Sequence, residues 1–182
     1  MSQGTEYPPS IYIGDYDLNP VSQFQYLGST ISSNLSLEPD ISARIAKAAG
    51  MMSKLKKRVW DNNNLTNNTK MQVYRACVLS TLLYSSEAWT THATQGKRLN
   101  SFYLRCLRRI LGIQWQDLVP NTEVLERAGL PSIFVLLAQR RLRWLGHVRR
   151  MDDSRIPKDL LYGELADGAR SRGRPSLRYK DS

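Results

Sequence analysis

Apolar residues near the start of the chain fall in short runs that turn-forming residues interrupt. Residues 11 to 13 (Ile-Tyr-Ile) and 24 to 27 (Phe-Gln-Tyr-Leu) are rich in β-branched and aromatic side chains, with Pro20 between them. This pattern predicts a small antiparallel hairpin or meander, followed by a turn at Gly28 and another short strand through Ile31. Because so small a sheet is marginal by itself, it should lean on a helix or belong to something larger.

From Asp40 onward the apolar residues recur at the spacing of an α-helix. Asp40, which follows Pro39, is the predicted N-cap of a first helix that ends at the polar residues 61 to 64. The predicted buried stripe of this helix comprises Ile41, Ile45, Ala48, Ala49, Met52, Leu55 and Val59.

Two more amphipathic helices follow. Thr66 or Asn68 can cap the second helix, which is predicted to run to about Trp89, and the third is predicted to follow Gly96 and to end near Leu111. Their predicted buried residues are Met71, Tyr74, Val78, Leu82 and Ala88 in the second helix, and Leu99, Phe102, Tyr103, Cys106, Leu107 and Ile110 in the third. Three such helices describe a compact bundle, so the predicted fold is mainly α with a small N-terminal antiparallel β-hairpin (α+β).

A short helix and a long basic helix complete the pattern. Asn121 is predicted to cap a helix through Ala128, residues 129 to 131 (Gly-Leu-Pro) turn the chain, and Ser132 caps the long helix. The pair resembles a helix-turn-helix in outline. The long helix is predicted to bury Phe134, Ala138, Leu142, Leu145 and Val148 and to present Arg140, Arg143, His147 and Arg150 on its other side. Beyond Met151 the Gly-, Asp-, Arg- and Ser-rich tail is predicted to be partly disordered.

The net charge of +10 over 182 residues is unevenly placed. Residues 1 to 43 contain five acidic residues and no Lys or Arg, so the rest of the chain carries all 26 basic side chains. Positive charge concentrated in this way favours a polyanionic partner, nucleic acid or an acidic membrane surface, over a small acidic substrate.

Arginine is the most informative residue type here, because its planar guanidinium matches phosphate oxygens and stacks on bases. We predict nucleic-acid contacts from Arg98, Arg105, Arg108, Arg109, Arg140, Arg141, Arg143, Arg149, Arg150, Arg172 and Arg174. The alternative for these side chains is a solvated or intramolecular role. Residues 172 to 175 (Arg-Gly-Arg-Pro) have the form of an AT-hook core, but a match of four residues is weaker than the alternative of a generic basic tail. Trp144 lies near the apolar arc of its helix, which favours a core position over a platform for a base.

Little in the sequence supports catalysis or a metal site. Cys77 and Cys106 occupy apolar helical positions, which predicts buried free thiols. Residues 151 to 153 (Met-Asp-Asp) imitate the paired aspartates of a polymerase, but they follow a long helix instead of a strand. His92 and His147 could join the cysteines around zinc, yet no two of these residues have the short spacing of zinc ligands. We therefore predict no catalytic residue, metal or cofactor, and, without a signal peptide or membrane span, a nuclear or cytoplasmic location.

Six blocks in order along the chain carry a family resemblance. They are residues 21 to 31 (Val-Ser-Gln-Phe-Gln-Tyr-Leu-Gly-Ser-Thr-Ile), 69 to 75 (Thr-Lys-Met-Gln-Val-Tyr-Arg), 82 to 89 (Leu-Leu-Tyr-Ser-Ser-Glu-Ala-Trp), 106 to 113 (Cys-Leu-Arg-Arg-Ile-Leu-Gly-Ile), 140 to 148 (Arg-Arg-Leu-Arg-Trp-Leu-Gly-His-Val) and 173 to 175 (Gly-Arg-Pro). Together they resemble the end of the reverse transcriptase of non-LTR (LINE-type) retrotransposons, over roughly residues 11 to 181. So many ordered blocks are more specific than any one short motif.

The resemblance implies a role for each part of the chain. The implied domains are a remnant of the last β-hairpin of the palm (residues 1 to 36), a thumb-like helical bundle (37 to 115), a short helix with the arginine-rich helix (116 to 151) and a flexible basic tail (152 to 182). The residues that would lie near the primer grip are Phe24, Tyr26, Leu27 and Gly28. By resemblance, the thumb helices hold the template and primer backbones, and the arginine helix and tail engage RNA or target DNA.

The sequence also departs from this family. The fingers, most of the palm with its catalytic aspartates and Ala-Asp-Asp motif, and the endonuclease have no counterpart, and the chain stops within a stretch that family members continue. The resemblance thus implies a non-catalytic nucleic-acid-binding fragment whose partners are RNA, DNA or RNA–DNA hybrid, with Mg²⁺ needed only by the full-length polymerase. The alternatives are a helical protein-interaction module, in which the exposed hairpin invites self-association or a palm and fingers partner, and part of an active reverse transcriptase whose palm is encoded elsewhere.

Overall fold

The N-terminal part of the structure is built from two separate hairpins. The computed structural model describes residues 11 to 34 and 36 to 162. Its strands are β1 (Ile11–Ile13) paired antiparallel with β2 (Tyr16–Leu18), and β3 (Gln23–Tyr26) paired antiparallel with β4 (Ser29–Ser32). The prediction of a single hairpin or meander is therefore corrected to two hairpins, because Gly14 turns the chain with a positive φ of 59° and creates the unpredicted strand β2.

The second hairpin closes through the turn predicted at Gly28. Leu27 and Gly28 both have positive φ, of 47° and 83°, and they lie between the paired residues Tyr26 and Ser29. Two central residues with positive φ are the mark of a type I′ turn, whose twist suits a two-residue hairpin. Leu27 is strained in this conformation, so contacts from elsewhere must hold it there.

Helices form the rest of the structure and confirm the predicted mainly α, α+β class. They are α1 (Glu38–Lys54), α2 (Asn67–Val73), α3 (Ser80–Leu82), α4 (Ala93–Leu111), α5 (Asn121–Ala128), α6 (Ile133–Arg149) and α7 (Ile156–Tyr162). A π-helical turn at Lys56–Trp60 follows α1, and another at Tyr74–Leu79 joins α2 to α3. Single 3₁₀ turns occur at Ser86–Ala88 and Trp115–Asp117.

Two of the four predicted helix caps are confirmed. The side chains of Thr66 and Ser132 each accept a hydrogen bond from the backbone N–H three residues later. Asp40 and Asn121 were the wrong residues for this role. Helix α1 begins two residues before Asp40, since Pro39 fits the first turn, where its missing N–H is not needed. Asn121 is itself the first residue of α5.

Two helix boundaries also differ from the prediction. The second helical run ends at Leu82 and not near Trp89, because Ser85 adopts a left-handed conformation with φ of 65° and redirects the chain. Helix α4 begins at Ala93, so Gly96 lies in its first turn instead of before it.

The core is formed where α1, the second helical run, α4, α5 and the start of α6 meet. Every predicted core residue of α4 is buried, as are Ile41, Ala48 and Met52 of α1. Ala49 and Ala88, which were predicted to be buried, are exposed. The 3.6-residue period therefore located the inner face of α4 well and that of α1 only approximately.

Helix α6 buries a different face from the predicted one. Phe134 and Leu142 are 50% and 66% exposed, whereas Ile133 and Leu137 are buried, and of the predicted stripe only Val148 is buried. Residues 133 to 138, which form the first turns of α6, are all apolar. The spacing of apolar residues therefore could not indicate which face of the helix packs against the core.

The chain continues in regular structure past the long helix. Helix α7 lies within the segment that is predicted to be a partly disordered tail, so residues 156 to 162 of that segment are helical. Arg172 and Arg174 lie outside the described residues. Among the described residues, no helix combines the length and the apolar character that crossing a membrane requires.

Candidate nucleic-acid interface

A groove along the second half of α6 collects basic and aromatic side chains. It has a volume of about 390 Å³ and is lined by Glu87, Arg140, Arg143, Trp144, His147 and Arg150. We call it the α6 groove. His147 and Arg150 also line a neighbouring depression of about 370 Å³ with Asp152 and Arg155. The predicted grouping of Arg140, Arg143, His147 and Arg150 on one side of the helix is thereby confirmed.

A second basic surface follows the outer side of α4. A groove of about 610 Å³, the α4 groove, is lined among others by Lys97, Arg105, Arg108 and Arg109. Arg105 and Arg109 also border another groove of about 410 Å³, with Lys56 from the turn after α1. The guanidinium groups of Arg105 and Arg109 thus lie between these two grooves. An extended polyanion matches such an arrangement of positive charge better than a small molecule does.

Five of the nine predicted arginines that the structure describes bind other parts of the protein. The contacts are Arg98 with Glu38 and Ser42, Arg108 with the Val119 carbonyl (2.8 Å) and Asn121 (2.9 Å), Arg109 with Asp61 (3.8 Å), Arg140 with the Leu83 carbonyl (3.0 Å) and Glu87 (3.7 Å), and Arg141 with Thr91 (2.9 Å). For these five side chains the intramolecular alternative is realised. Arg109 and Arg140 still line the grooves, so this does not remove their charge from the surface.

Four of the predicted arginines keep their guanidinium groups available. Within the part of the chain that the structure describes, the side chains of Arg105, Arg143, Arg149 and Arg150 form no hydrogen bond or ion pair. The Arg105 guanidinium carbon lies 5.6 Å above the centre of the Phe102 ring, which leaves its N–H groups free to donate elsewhere.

Trp144 lies at the surface and not in the core, so its predicted core position is wrong. Its side chain is 36% exposed and lines the α6 groove, with the His147 ring 5.6 Å away at an angle of 43°. The error has the same origin as that of the buried stripe, since the true inner face passes through Ile133, Leu137 and Val148.

The residues predicted to resemble a primer grip form an exposed hairpin end. Phe24, Tyr26 and Leu27 are 44%, 58% and 76% exposed, and the rings of Phe24 and Tyr26 lie 6.3 Å apart. The turn is held from the helical body. The Tyr84 hydroxyl donates to the Leu27 carbonyl (3.1 Å), and Arg44 donates to the Gly28 carbonyl (2.8 Å). These bonds hold the strained turn in place.

A buried charge network beneath this turn was not predicted. Asp40 is 3% exposed and accepts hydrogen bonds from the Thr30 backbone N–H (3.0 Å) and the Trp89 indole N–H (3.0 Å), while Arg44 lies 3.7 Å away. The Arg44 guanidinium also stacks 4.4 Å above the Tyr84 ring. The spacing of Asp40 and Arg44, four residues apart on one helix, was the available sequence signal.

Burial holds one thiol and two phenol groups in their protonated form. Cys77 and Cys106 are free, and Cys106 is buried as predicted, whereas Cys77 is half-buried. Burial raises the pKa of the Cys106 thiol to about 12. Burial also raises the pKa of Tyr74 and Tyr103. Cys106, Tyr74 and Tyr103 therefore stay protonated at neutral pH and belong to the core. No three His, Cys, Asp or Glu side chains of the described residues are grouped as metal ligands would be.

The chain is similar in sequence to a protein of transposon origin. The chain is 28% identical, over 194 aligned positions, to an uncharacterized transposon-derived protein of Caenorhabditis elegans. The alignment covers 96% of this chain and 65% of that protein, so the chain spans slightly less than two thirds of the relative's length. No protein-family model matches the chain. No solved structure matches it either.

Proposed function

We propose that this chain, which has a transposon-derived homologue, is a non-catalytic nucleic-acid-binding part of a retrotransposon RNA-directed DNA polymerase. The observation that carries the proposal is the α6 groove, where Arg143 and Arg150 have no partner among the described residues and stand beside an exposed tryptophan. Contacts from these side chains and from Arg105 to phosphates would hold RNA, DNA or an RNA–DNA hybrid independently of sequence.

Two observations of different kinds support the proposal. The relative supports an origin in a transposable element. The ordered sequence blocks support the finer assignment to a non-LTR reverse transcriptase. In this proposal the helices through α4 act as a thumb, the turn at Leu27 and Gly28 lies near the primer, and Mg²⁺ belongs to the palm of the full-length polymerase.

The proposal predicts a salt-dependent affinity that two arginines control. Replacing both by glutamine (Arg143→Gln with Arg150→Gln) should weaken binding to RNA and DNA alike and lower the slope of log K against log salt by about 2, about one per phosphate contact. Fluorescence anisotropy with labelled oligonucleotides at several salt concentrations measures both quantities.

Arg127 on α5 provides a matched control. It is half-exposed, pairs with Glu123 on its own helix and lines neither groove. Arg127→Gln should leave affinity and slope close to those of the parent protein. Binding that ignores salt, or that all three substitutions weaken equally, would contradict backbone neutralisation by the α6 groove.

A protein-interaction module is the second candidate, and one surface favours it. On β1 and β2, Ile11, Ile13 and Tyr16 are 54%, 65% and 80% exposed, so the first hairpin presents apolar side chains to solvent. Such a patch is typical of a surface that a partner covers. Light scattering with and without an oligonucleotide distinguishes this candidate, because a module of this kind associates whether or not nucleic acid is present.

A further inference from the structure

We propose that the α6 groove binds an unpaired base of a single-stranded nucleic acid against Trp144, with the flanking phosphates held by Arg143 and Arg150. This inference rests on the proposed nucleic-acid binding and deepens it by naming the ligand: a single strand, recognised through a base as well as through its backbone.

The indole of Trp144 is placed unlike the buried tryptophans. Trp60 and Trp89 are 4% and 2% exposed, and their indole N–H groups donate to the Met52 carbonyl and to Asp40. Trp144 is 36% exposed, and its N–H has no acceptor within the described chain. A partly exposed aromatic ring that lines a groove can act as a surface on which a base stacks.

The neighbouring His147 ring is not stacked on the Trp144 indole. The planes of Trp144 and His147 are inclined by 43° with their centres 5.6 Å apart, so the rings are not stacked face to face. A base inside a duplex is covered on both faces by its neighbours, whereas an unpaired base has a face to offer. The groove volume of about 390 Å³ lies within the range of about 300–1,000 Å³ that small-molecule sites occupy.

The charges of the groove are arranged for a backbone that passes the ring. Its one acidic residue, Glu87, lies 3.7 Å from Arg140, which also donates to the Leu83 carbonyl. This pair is therefore occupied, and Arg143 and Arg150 supply the net positive charge. The Arg150 guanidinium lies close to Gly146. A Cβ atom added at Gly146 would lie 3.4 Å from Nη1 of Arg150, so the absence of a side chain at Gly146 leaves room for the guanidinium.

The test compares three ligands of equal length: a single-stranded oligonucleotide, the same strand with abasic positions, and a duplex. The parent protein should prefer the base-containing single strand. Trp144→Ala should weaken that complex on the order of 5- to 150-fold, the usual effect of losing one stacked base, and should leave binding to the abasic strand unchanged. Circular dichroism confirms that the variant is folded.

Two further variants make the outcome specific. Trp144→Phe keeps an aromatic face and should retain most of the preference. Trp115 is 81% exposed but does not line the groove, so Trp115→Ala should bind as the parent does. Quenching of tryptophan fluorescence by the single strand should persist in Trp115→Ala and decrease in Trp144→Ala.

Each contrary result has a distinct meaning. Equal, salt-dependent binding to the base-containing and abasic strands would overturn the base site and leave the proposed function standing. Absence of binding to all three ligands would overturn both. If a poly-glutamate peptide binds the α6 groove with the same affinity as the single strand, the inference is overturned in favour of an acidic protein partner.

Discussion

Arg44 and Arg98 show how differently two arginines of one chain can act. Each pairs with an acidic residue of α1, Arg44 with Asp40 and Arg98 with Glu38. The first pair is buried, with side chains 5% and 4% exposed, and the second is open to solvent, with side chains 48% and 49% exposed. Water screens the outer pair, whereas the inner pair depends on its own hydrogen bonds.

Removing the two guanidinium groups should therefore have unequal effects on stability. Arg44→Met leaves the Asp40 carboxylate buried without its cation and should lower the free energy of unfolding by about 3 kcal/mol. Arg98→Met should lower it by less than about 1 kcal/mol. Urea denaturation of both variants measures the difference, and equal effects on the free energy of unfolding would contradict a special role for the buried pair.

At the scale of elements, the contact between α4 and α6 depends on a missing side chain. A Cβ atom added at Gly96 in the first turn of α4 would lie 3.0 Å from the Phe134 ring of α6. Gly50, inside α1, has nothing within 4 Å of such an atom. A close contact therefore constrains Gly96 but not Gly50, a difference that the sequence context of the two residues does not reveal.

Alanine at these two positions should have different effects. Gly50→Ala should stabilise the protein by about 0.5–1 kcal/mol through helix propensity alone. Gly96→Ala should lose that gain to the clash with Phe134 and be less stable than Gly50→Ala by at least about 1 kcal/mol. The melting temperatures of both variants test this. If the clash is the cause, Gly96→Ala should be stabilising when it is measured in a Phe134→Ala background.

Across the whole molecule, the helices enclose groups that ionise only at alkaline pH. Tyr74 and Tyr103, whose ring centres lie 6.3 Å apart, and Cys106 are all buried, and burial raises the pKa of each. The folded protein therefore holds these protons more tightly than the unfolded chain does.

Stability should accordingly fall at alkaline pH. The pKa of Cys106 rises from 9.0 to about 12, so its contribution is fully present below pH 9 and is lost as the pH rises toward 12. Urea denaturation between pH 8 and 11 should show declining stability, with a shallower decline in Cys106→Ala. Identical slopes in the two proteins would contradict a buried, protonated thiol.

The basic surfaces were only partly predictable at this scale. The sequence and the helical period indicated which helices carry arginines. They also correctly grouped Arg140, Arg143, His147 and Arg150 on one side of α6. The sequence could not separate occupied from available guanidinium groups. The Leu83 carbonyl that binds Arg140 is 57 residues away along the chain, and only folding brings the two together.

What the sequence determined by itself is local. The caps at Thr66 and Ser132, the turn at Gly28 and the inner face of α4 follow from residues a few positions apart, because backbone hydrogen bonds and the helical period act over that range. The tertiary structure decided which face of α6 packs and that Trp144 is exposed, because burial depends on residues that are distant in sequence. The same holds for the buried pair of Asp40 and Arg44, since the Trp89 indole that completes it lies 49 residues from Asp40.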